Sequence, residues 1–298
     1  LQSLPNFRKA VSEEMYWIIV LIVLVVVGFV LDREIYFYEG AHLGPRLQSW
    51  LYDRWSKKYD AGKRESQLRD NEMLAQPLVD KLKDVPEPFI LDFATGTGRL
   101  SYALLSRSDF KGRIIALDIS QGMLEQAAAK ISRVEHRGYS ERSRSAAVEL
   151  IRHQSMPLPF PDAAFDAVCC LEVLELLPDA QAALNEMSRL LRPGGILLTS
   201  RGTEKSGRKA KVKSAAELAS ILQKRGFENI QITKWWKLFD RVVANKNGTA
   251  SPVGAKSLTE VFECSSCGQI GWEKTSNLLK CRQCGRELLV TKEQIVLN

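Results

Sequence analysis

Cysteine and histidine are both scarce in this sequence of 298 residues, with six of the one and three of the other. Cysteines spread along the chain as a secreted disulfide framework are missing. Four stand instead in two Cys-x-x-Cys pairs near the end, and Cys169 and Cys170 adjoin inside an apolar run, where they read as small buried residues. His42, His136 and His153 read as surface or packing residues. Charge of one sign is also short of an extreme. The balance of 42 Lys and Arg against 35 Asp and Glu leaves +7, which suggests an acidic surface nearby without deciding between a membrane and nucleic acid. A hydrophobic share of 45% excludes a disordered chain, and the length holds one ordinary domain with appendages.

Met15 to Leu31 carries no charge and as a helix spans about 25 Å, near the short end of what crosses a bilayer. A small-residue cleavage site does not follow it. Asp32, Arg33 and Glu34 do, which favours a transmembrane helix over a signal peptide. A buried core helix would need a surrounding domain, and none precedes residue 50. Tyr16 and Trp17 at one end, and Tyr36, Phe37 and Tyr38 at the other, suit the two interfaces. Arg8 and Lys9 are matched by Arg33 and Arg46, so charge leaves the orientation open. Free Cys-x-x-Cys thiolates need reducing conditions, which puts the long C-terminal part in the cytoplasm.

A strand, a glycine turn and a helix are written in Ile90 to Leu100 (ILDFATGTGRL). Gly96 and Gly98 lack the Cβ atoms that would keep a ligand from the backbone, and the helix from Leu100 to Leu105 opens with free amides. About twenty residues on, Arg113 to Leu117 is a second apolar strand, and Asp118 ends it where a carboxylate would grip a ribose. A nucleoside-bearing ligand fits both halves of this fingerprint. The third glycine of the dinucleotide-binding pattern is missing.

DFATGTG resembles the first motif of the class I S-adenosylmethionine (SAM)-dependent methyltransferases, and ALDISQGML (Ala116 to Leu124) resembles their second. LPFPDAAFDAV (Leu158 to Val168) and RLLRPGGILL (Arg189 to Leu198) are similar to the stretches around the family's fourth and fifth strands. The small-molecule methyltransferases of ubiquinone and menaquinone biosynthesis are the nearest by pattern, and the resemblance covers roughly Tyr52 to Lys246. It implies an α/β fold: a Rossmann-like, seven-stranded, mostly parallel sheet with helices on both faces. It also implies SAM contacts at Asp92, Ala94, Thr95, Gly96, Gly98, Asp118, Ile119, Gln154, Ser155 and Leu171. Relatives commonly carry an acid at the position of Gln154 to bind the adenine amino group; the Gln154 amide oxygen can accept the same bond. Many place a histidine at Leu176, and its absence argues against a histidine base there.

Between Gly40 and Lys83 helices are expected, with Leu47, Trp50, Leu51 and Trp55 as an apolar face. Tyr52 to Asp60 resembles the segment that lids the site in these enzymes; packing alone would explain it equally well. Strand three is expected over Ala147 to Ile151, after a polar loop from Glu135 to Ser145, and strand four over Phe165 to Leu171. A helix over Ala180 to Leu191 should stop at Arg192-Pro193-Gly194-Gly195, ahead of strand five at Ile196 to Ser200. Arg201 to Lys213 is a basic run at the carboxyl end of that strand, where open α/β sheets bind ligands; a solvated loop is its alternative. Helix Ala215 to Arg225 and strands Asn229 to Trp235 and Phe239 to Ala244 complete the sheet.

Cys264-x2-Cys267-x13-Cys281-x2-Cys284 has the spacing of a tetrahedral zinc site, with Gly268 and Gly285 shaping the knuckles. A redox dithiol explains one such pair but hardly two. Four thiolates leave no open position, so the metal should be structural. The organisation expected is a tail (1–14), a transmembrane helix (15–31), a methyltransferase domain (40–246), a linker (247–257) and a zinc ribbon (258–298).

Methyl transfer from a sulfonium needs an aligned nucleophile and a dry site more than a strong base; Glu172 and Tyr59, then His153, border the expected pocket and are the candidates for one. The first functional reading is methylation of a hydrophobic or membrane-resident small molecule, a lipid or quinone-like compound. The alternatives are methylation of RNA or protein recruited by the zinc ribbon and basic loop, and a membrane-tethered SAM-binding module without activity.

Overall fold

The computed structural model describes residues 4–135, 147–206 and 213–298. His136, the expected loop from residue 136 to 145, and Arg208, Lys209 and Lys211 of the basic run lie outside the described residues.

Two compact units divide the chain, residues 1–51 and 52–298. In the first, α1 (Leu4–Asp32) passes into a π-helical turn, Arg33–Phe37. Its segment Met15–Phe37 has a mean hydropathy of 2.7 over its most apolar window and none of that window is buried. Among the described residues nothing packs around it as a core would, and by length and composition it could cross a membrane. His42 Nδ1 sits 2.9 Å from Glu34, a surface pairing. Helix α2 (Pro45–Gln67) begins in this unit. The apolar face expected there is interrupted: Leu51 is buried, but Leu47 and Trp50 are exposed.

The second unit is built on one sheet. Strands β1 (Phe89–Phe93), β2 (Arg113–Asp118), β3 (Val148–Arg152) and β4 (Phe165–Cys170) are followed by β5 (Leu191–Gly202), β6 (Phe227–Trp236) and β7 (Phe239–Lys246). They lie in the order β6-β7-β5-β4-β1-β2-β3, parallel except for β7, which runs against both neighbours. β1 and β4 are buried at every residue, as their unbroken apolar runs require of strands covered on both faces. Phe89, Leu91 and Phe93 point into one core with α6 (Ala180–Leu190) and α7 (Ala215–Gln223). Ile90 points into the other, with α3 (Gln76–Lys81), α4 (Arg99–Leu105) and α5 (Gln121–Glu135). The Rossmann-like arrangement with helices on both faces is therefore present.

Three expectations change. Arg192-Pro193-Gly194-Gly195 is a bulge inside a longer β5 instead of a break before it. Gly194 sits at φ +76°, and a Cβ on Gly195 would come within 3.0 Å of the Asp166 carbonyl, so these glycines let the chain hug β4 and keep pairing. The second change concerns the sheet's far edge, which continues through β11 (Ile295–Leu297), β10 (Glu287–Val290), β9 (Leu278–Cys281) and β8 (Trp272–Lys274), eleven strands in all. β11 pairs parallel to β3, Ile295 opposite Leu150. Phe262, Trp272 and Leu279 share one core with Phe160 and Phe165, so residues 258–298 do not enclose a core of their own. The third is the linker. Asp166, wholly buried, accepts from Phe89 N at 3.0 Å, Arg192 Nε at 2.6 Å, Val253 N at 2.9 Å and Gly254 N at 3.2 Å. A buried carboxylate is tolerated when so fully paired, and here it fastens 253–254 to three strands, β1, β4 and β5.

Candidate active site

The glycine turn is held by its own side chains. Asp92 Oδ2 accepts from Thr95 Oγ1 at 2.6 Å and Ser101 Oγ at 2.7 Å, and burial raises its pKa above the usual carboxylate value. Asp92, expected among the ligand contacts, is buried and pins the turn through these bonds. Ala94 takes the left-handed backbone at φ +55°. The two glycines have different reasons. A Cβ on Gly96 would meet nothing within 4 Å, so the turn is open on that side; one on Gly98 would lie 2.9 Å from Ala127 Cβ. Gly98 thus serves the packing of α4 against α5.

Asp118, at the end of β2, accepts from Gly96 N at 2.8 Å and Ser120 N at 2.9 Å. Burial pushes its carboxyl up to about 6, against the pull of those two amides. Beyond β3, Gln154 Nε2 donates to Ile119 O at 3.4 Å, which keeps the amide oxygen as an acceptor. Ser155 Oγ lies 3.3 Å from His153 Nε2, and Leu171 is buried just past β4. Sequence and structure agree in bringing Gly96, Asp118, Ile119 and Gln154 to one end of β1, β2 and β3.

The half of α2 within this unit is fastened to the same end. Asp53 Oδ1 accepts from Ser120 Oγ at 2.6 Å and Gly122 N at 2.8 Å, and a Cβ on Gly122 would come within 3.0 Å of Asp53 Cα. Asp60 accepts from Thr97 Oγ1 at 2.6 Å and pairs with Lys130 at 2.7 Å. Lys63 pairs with Glu172. Glu172, at φ +59°, also accepts from Arg99 Nη1 at 2.7 Å. Arg99 holds Asp70 through two nitrogens, at 2.5 and 2.8 Å, and its guanidinium lies 4.9 Å from the centre of the Trp235 ring. Two carboxylates and two cations thus balance. With both its oxygens accepting from cations, Glu172 is built as an anchor more than as a free base. Lys63 Nζ stands 5.7 Å from the Tyr59 ring centre. Sequence reasoning flagged the segment containing Asp53 and Asp60 but missed Arg99, Asp70 and Trp235; the signal available was that Arg99 directly follows the turn.

The carboxyl ends of β4 and β5 border an open cleft lined by Leu174, Glu175, Leu184, Ser200, Leu218 and others. Arg201, expected as part of a free basic run, is buried and paired with Asp240 at 2.6 Å and Glu204 at 2.9 Å. Lys213 pairs with Glu217 at 3.1 Å.

Cys264, Cys267, Cys281 and Cys284 bring their sulfurs within 4.8 Å of one another, with 3.6 Å between Cys264 and Cys284 and 3.8 Å between Cys267 and Cys281. Tetrahedral Zn–S bonds of about 2.3 Å put sulfurs about 3.8 Å apart, so the donor set fits zinc.

A family model described as a methyltransferase domain matches residues 91–199. The chain is 30% identical over 217 residues to a demethylmenaquinone methyltransferase of Lactobacillus johnsonii, covering 62% of this chain and 86% of that protein. It is also 30% identical over 148 residues to a ubiquinone/menaquinone biosynthesis C-methyltransferase of Hahella chejuensis, of which it spans 56%. A crystal structure of a SAM-dependent methyltransferase from Methanococcus maripaludis shares the fold at a TM-score of 0.50 and 18% identity, over 66% of this chain and 94% of that one. The chain belongs to the SAM-dependent methyltransferases and is an enzyme of that class.

Proposed function

We propose that this enzyme methylates a hydrophobic, quinone-like small molecule drawn from a membrane. The observation that carries the substrate class is the likeness to a demethylmenaquinone methyltransferase along 86% of that protein. The exposed apolar segment Met15–Phe37 supports one membrane span, and the free Cys-x-x-Cys thiols, which need reducing conditions, support a cytoplasmic side for residues 52–298.

SAM supplies an activated methyl group on a sulfonium, and the protein's task is to align an acceptor and exclude water. In this reading Asp118 accepts from the ribose hydroxyls and Gln154 from the adenine amino group. Ala94, Thr95 and Gly96 form the open side of the turn, while Ile119, Ser155 and Leu171 wall the adenosine. The open space beside Gly96 and the desolvated Asp118 carboxylate are what fit such a ligand. α2 closes the site through Asp53, Asp60 and Lys63, and the open cleft between Leu174 and Leu218 is where an acceptor would approach. The four cysteines would hold a structural zinc in a ribbon.

Full-length protein in vesicles should be given methyl-labelled SAM together with a demethylated quinone, host lipid, RNA and protein. Label in the solvent-extracted quinone or lipid supports the reading. Label confined to RNA or protein moves the assignment to a macromolecular acceptor, and SAM binding without product makes the chain a binding module.

A further inference from the structure

The four-cysteine cluster and the end of β3 meet at Asn298. Its main-chain N–H donates to Arg152 O at 3.1 Å, extending the β11–β3 ladder by one rung. Its side chain then bridges two regions. Nδ2 donates to His153 Nδ1 at 2.8 Å, and Oδ1 accepts from Ser265 Oγ at 3.5 Å; Ser265 lies in the knuckle between Cys264 and Cys267. His153 is buried. A ring that accepts at Nδ1 carries its proton on Nε2, so Nε2–H is the donor to Ser155 Oγ at 3.3 Å. The His153 main-chain N–H donates to Asp118 O at 2.9 Å.

One path therefore runs from the knuckle through Asn298 and His153 to Ser155 and Asp118. A second contact steadies it from the other side. Glu263 N, beside Cys264, donates to Pro159 O at 2.8 Å, and the rings of Phe262 and Phe160 meet at 5.9 Å, so the loop after Ser155 also leans on the knuckle. A strand serving only to cover an edge would need the ladder and the apolar contacts. It would not need an amide fixing the tautomer of a buried imidazole two residues from the loop that faces the ligand.

We propose that Asn298 and His153 are positioning residues for the adenosine end of the cofactor, and that metal at the four cysteines tunes cofactor affinity through them. The proposal rests on the reading of Asp118 to Ser155 as the adenosine site. Bound metal would fix the Cys264–Cys267 knuckle, which fixes Asn298. Asn298 in turn sets which His153 nitrogen bears the proton and where Ser155 Oγ stands.

The test uses the full chain in detergent, with metal content, thermal stability and affinities for SAM and for adenosine measured together. Asn298→Ala, still metal-loaded and folded, should bind both ligands about three- to tenfold more weakly, the size of one lost hydrogen bond. The equal loss for adenosine places the effect at that end of the ligand. Nitrogen NMR should show the His153 ring leaving the Nε2–H tautomer in the same variant, a change that general loosening would not produce. Metal removal by chelation should weaken SAM binding by a similar factor, and in Asn298→Ala it should add little more. Unchanged SAM affinity in folded Asn298→Ala overturns the proposal, as does a folded, metal-free chain that binds SAM normally. Asp118→Ala is run beside them: if it too binds normally, the site assignment fails, whereas weak binding there with normal binding in Asn298→Ala sinks the positioning role alone.

Discussion

Asp118 holds a carboxylate in a place where water scarcely reaches it, and burial has raised its pKa to about 6. In the unfolded chain an aspartate titrates near 3.9. The folded protein therefore holds that proton more tightly; this contribution to stability is complete below about pH 4 and is lost as pH rises through about 6. At neutral pH the unliganded fold carries a desolvated charge, which ribose hydroxyls donating to it would stabilise. SAM affinity is expected to fall as pH drops from 7 to 5, with protons released on binding in that window. Calorimetry in buffers of different ionisation enthalpy measures both, and Asp118→Asn should flatten the profile. Asp118→Ala removes two charge-assisted bonds and should weaken SAM binding at least about tenfold. The two glycines make a second test at this scale. Both sit at positive φ, so alanine at either costs about 1–2 kcal/mol from the backbone. Only at Gly98 does the new methyl also strike Ala127, so Gly98→Ala should melt lower than Gly96→Ala.

Among the elements, α2 depends most on single contacts. Asp53 adds to the cap that Ser120 gives α5: Ser120 Oγ accepts from Met123 N at 3.1 Å, and Asp53 accepts from Gly122 N and Ser120 Oγ. Asp53→Ala should cost about 1 kcal/mol, as other lost caps do. It should also speed both entry and release of SAM in stopped-flow measurements; unchanged rates would mean that α2 merely packs. The succession of strands β1 to β7 along the chain and the end where Gly96 meets Asp118 were legible because apolar runs and a glycine turn are local signals, whereas the sheet they form was implied only by the family resemblance. What escaped has non-local causes. The bulge in β5 depends on how closely Gly195 approaches Asp166, which no propensity records. Arg201 looked like a loop cation until β7 brought Asp240 beside it. The linker has a linker's composition, yet Val253 and Gly254 are bound by a carboxylate distant in sequence.

For the molecule as a whole, Asp166 ties the β1, β4 and β5 strands to the segment at Val253 and Gly254. Asp166→Ala would leave Arg192 buried without its partner and should cost about 3–5 kcal/mol, read from denaturant unfolding. If the acceptor is membrane-borne as proposed, attachment to a bilayer through Met15–Phe37 would confine the enzyme's search to that surface, a gain in effective concentration and not in chemistry. Residues 40–298 alone should keep their SAM affinity but turn over a vesicle-borne acceptor far more slowly than the full-length chain, with little difference in detergent.

The pairing of β11 with β3 also bears on how the protein is made. Residues 295–297 leave the ribosome after every other strand of the sheet, yet they belong between β3 and β10. Until they arrive, β3 is a bare edge with unpaired amides and carbonyls, the kind of surface that recruits another chain. Before residues 295–297 are made, a sheet of β1 to β7 would therefore leave its β3 edge uncovered. A chain interrupted after residue 257 would stay at that stage, prone to edge-to-edge association even with β1 to β7 complete.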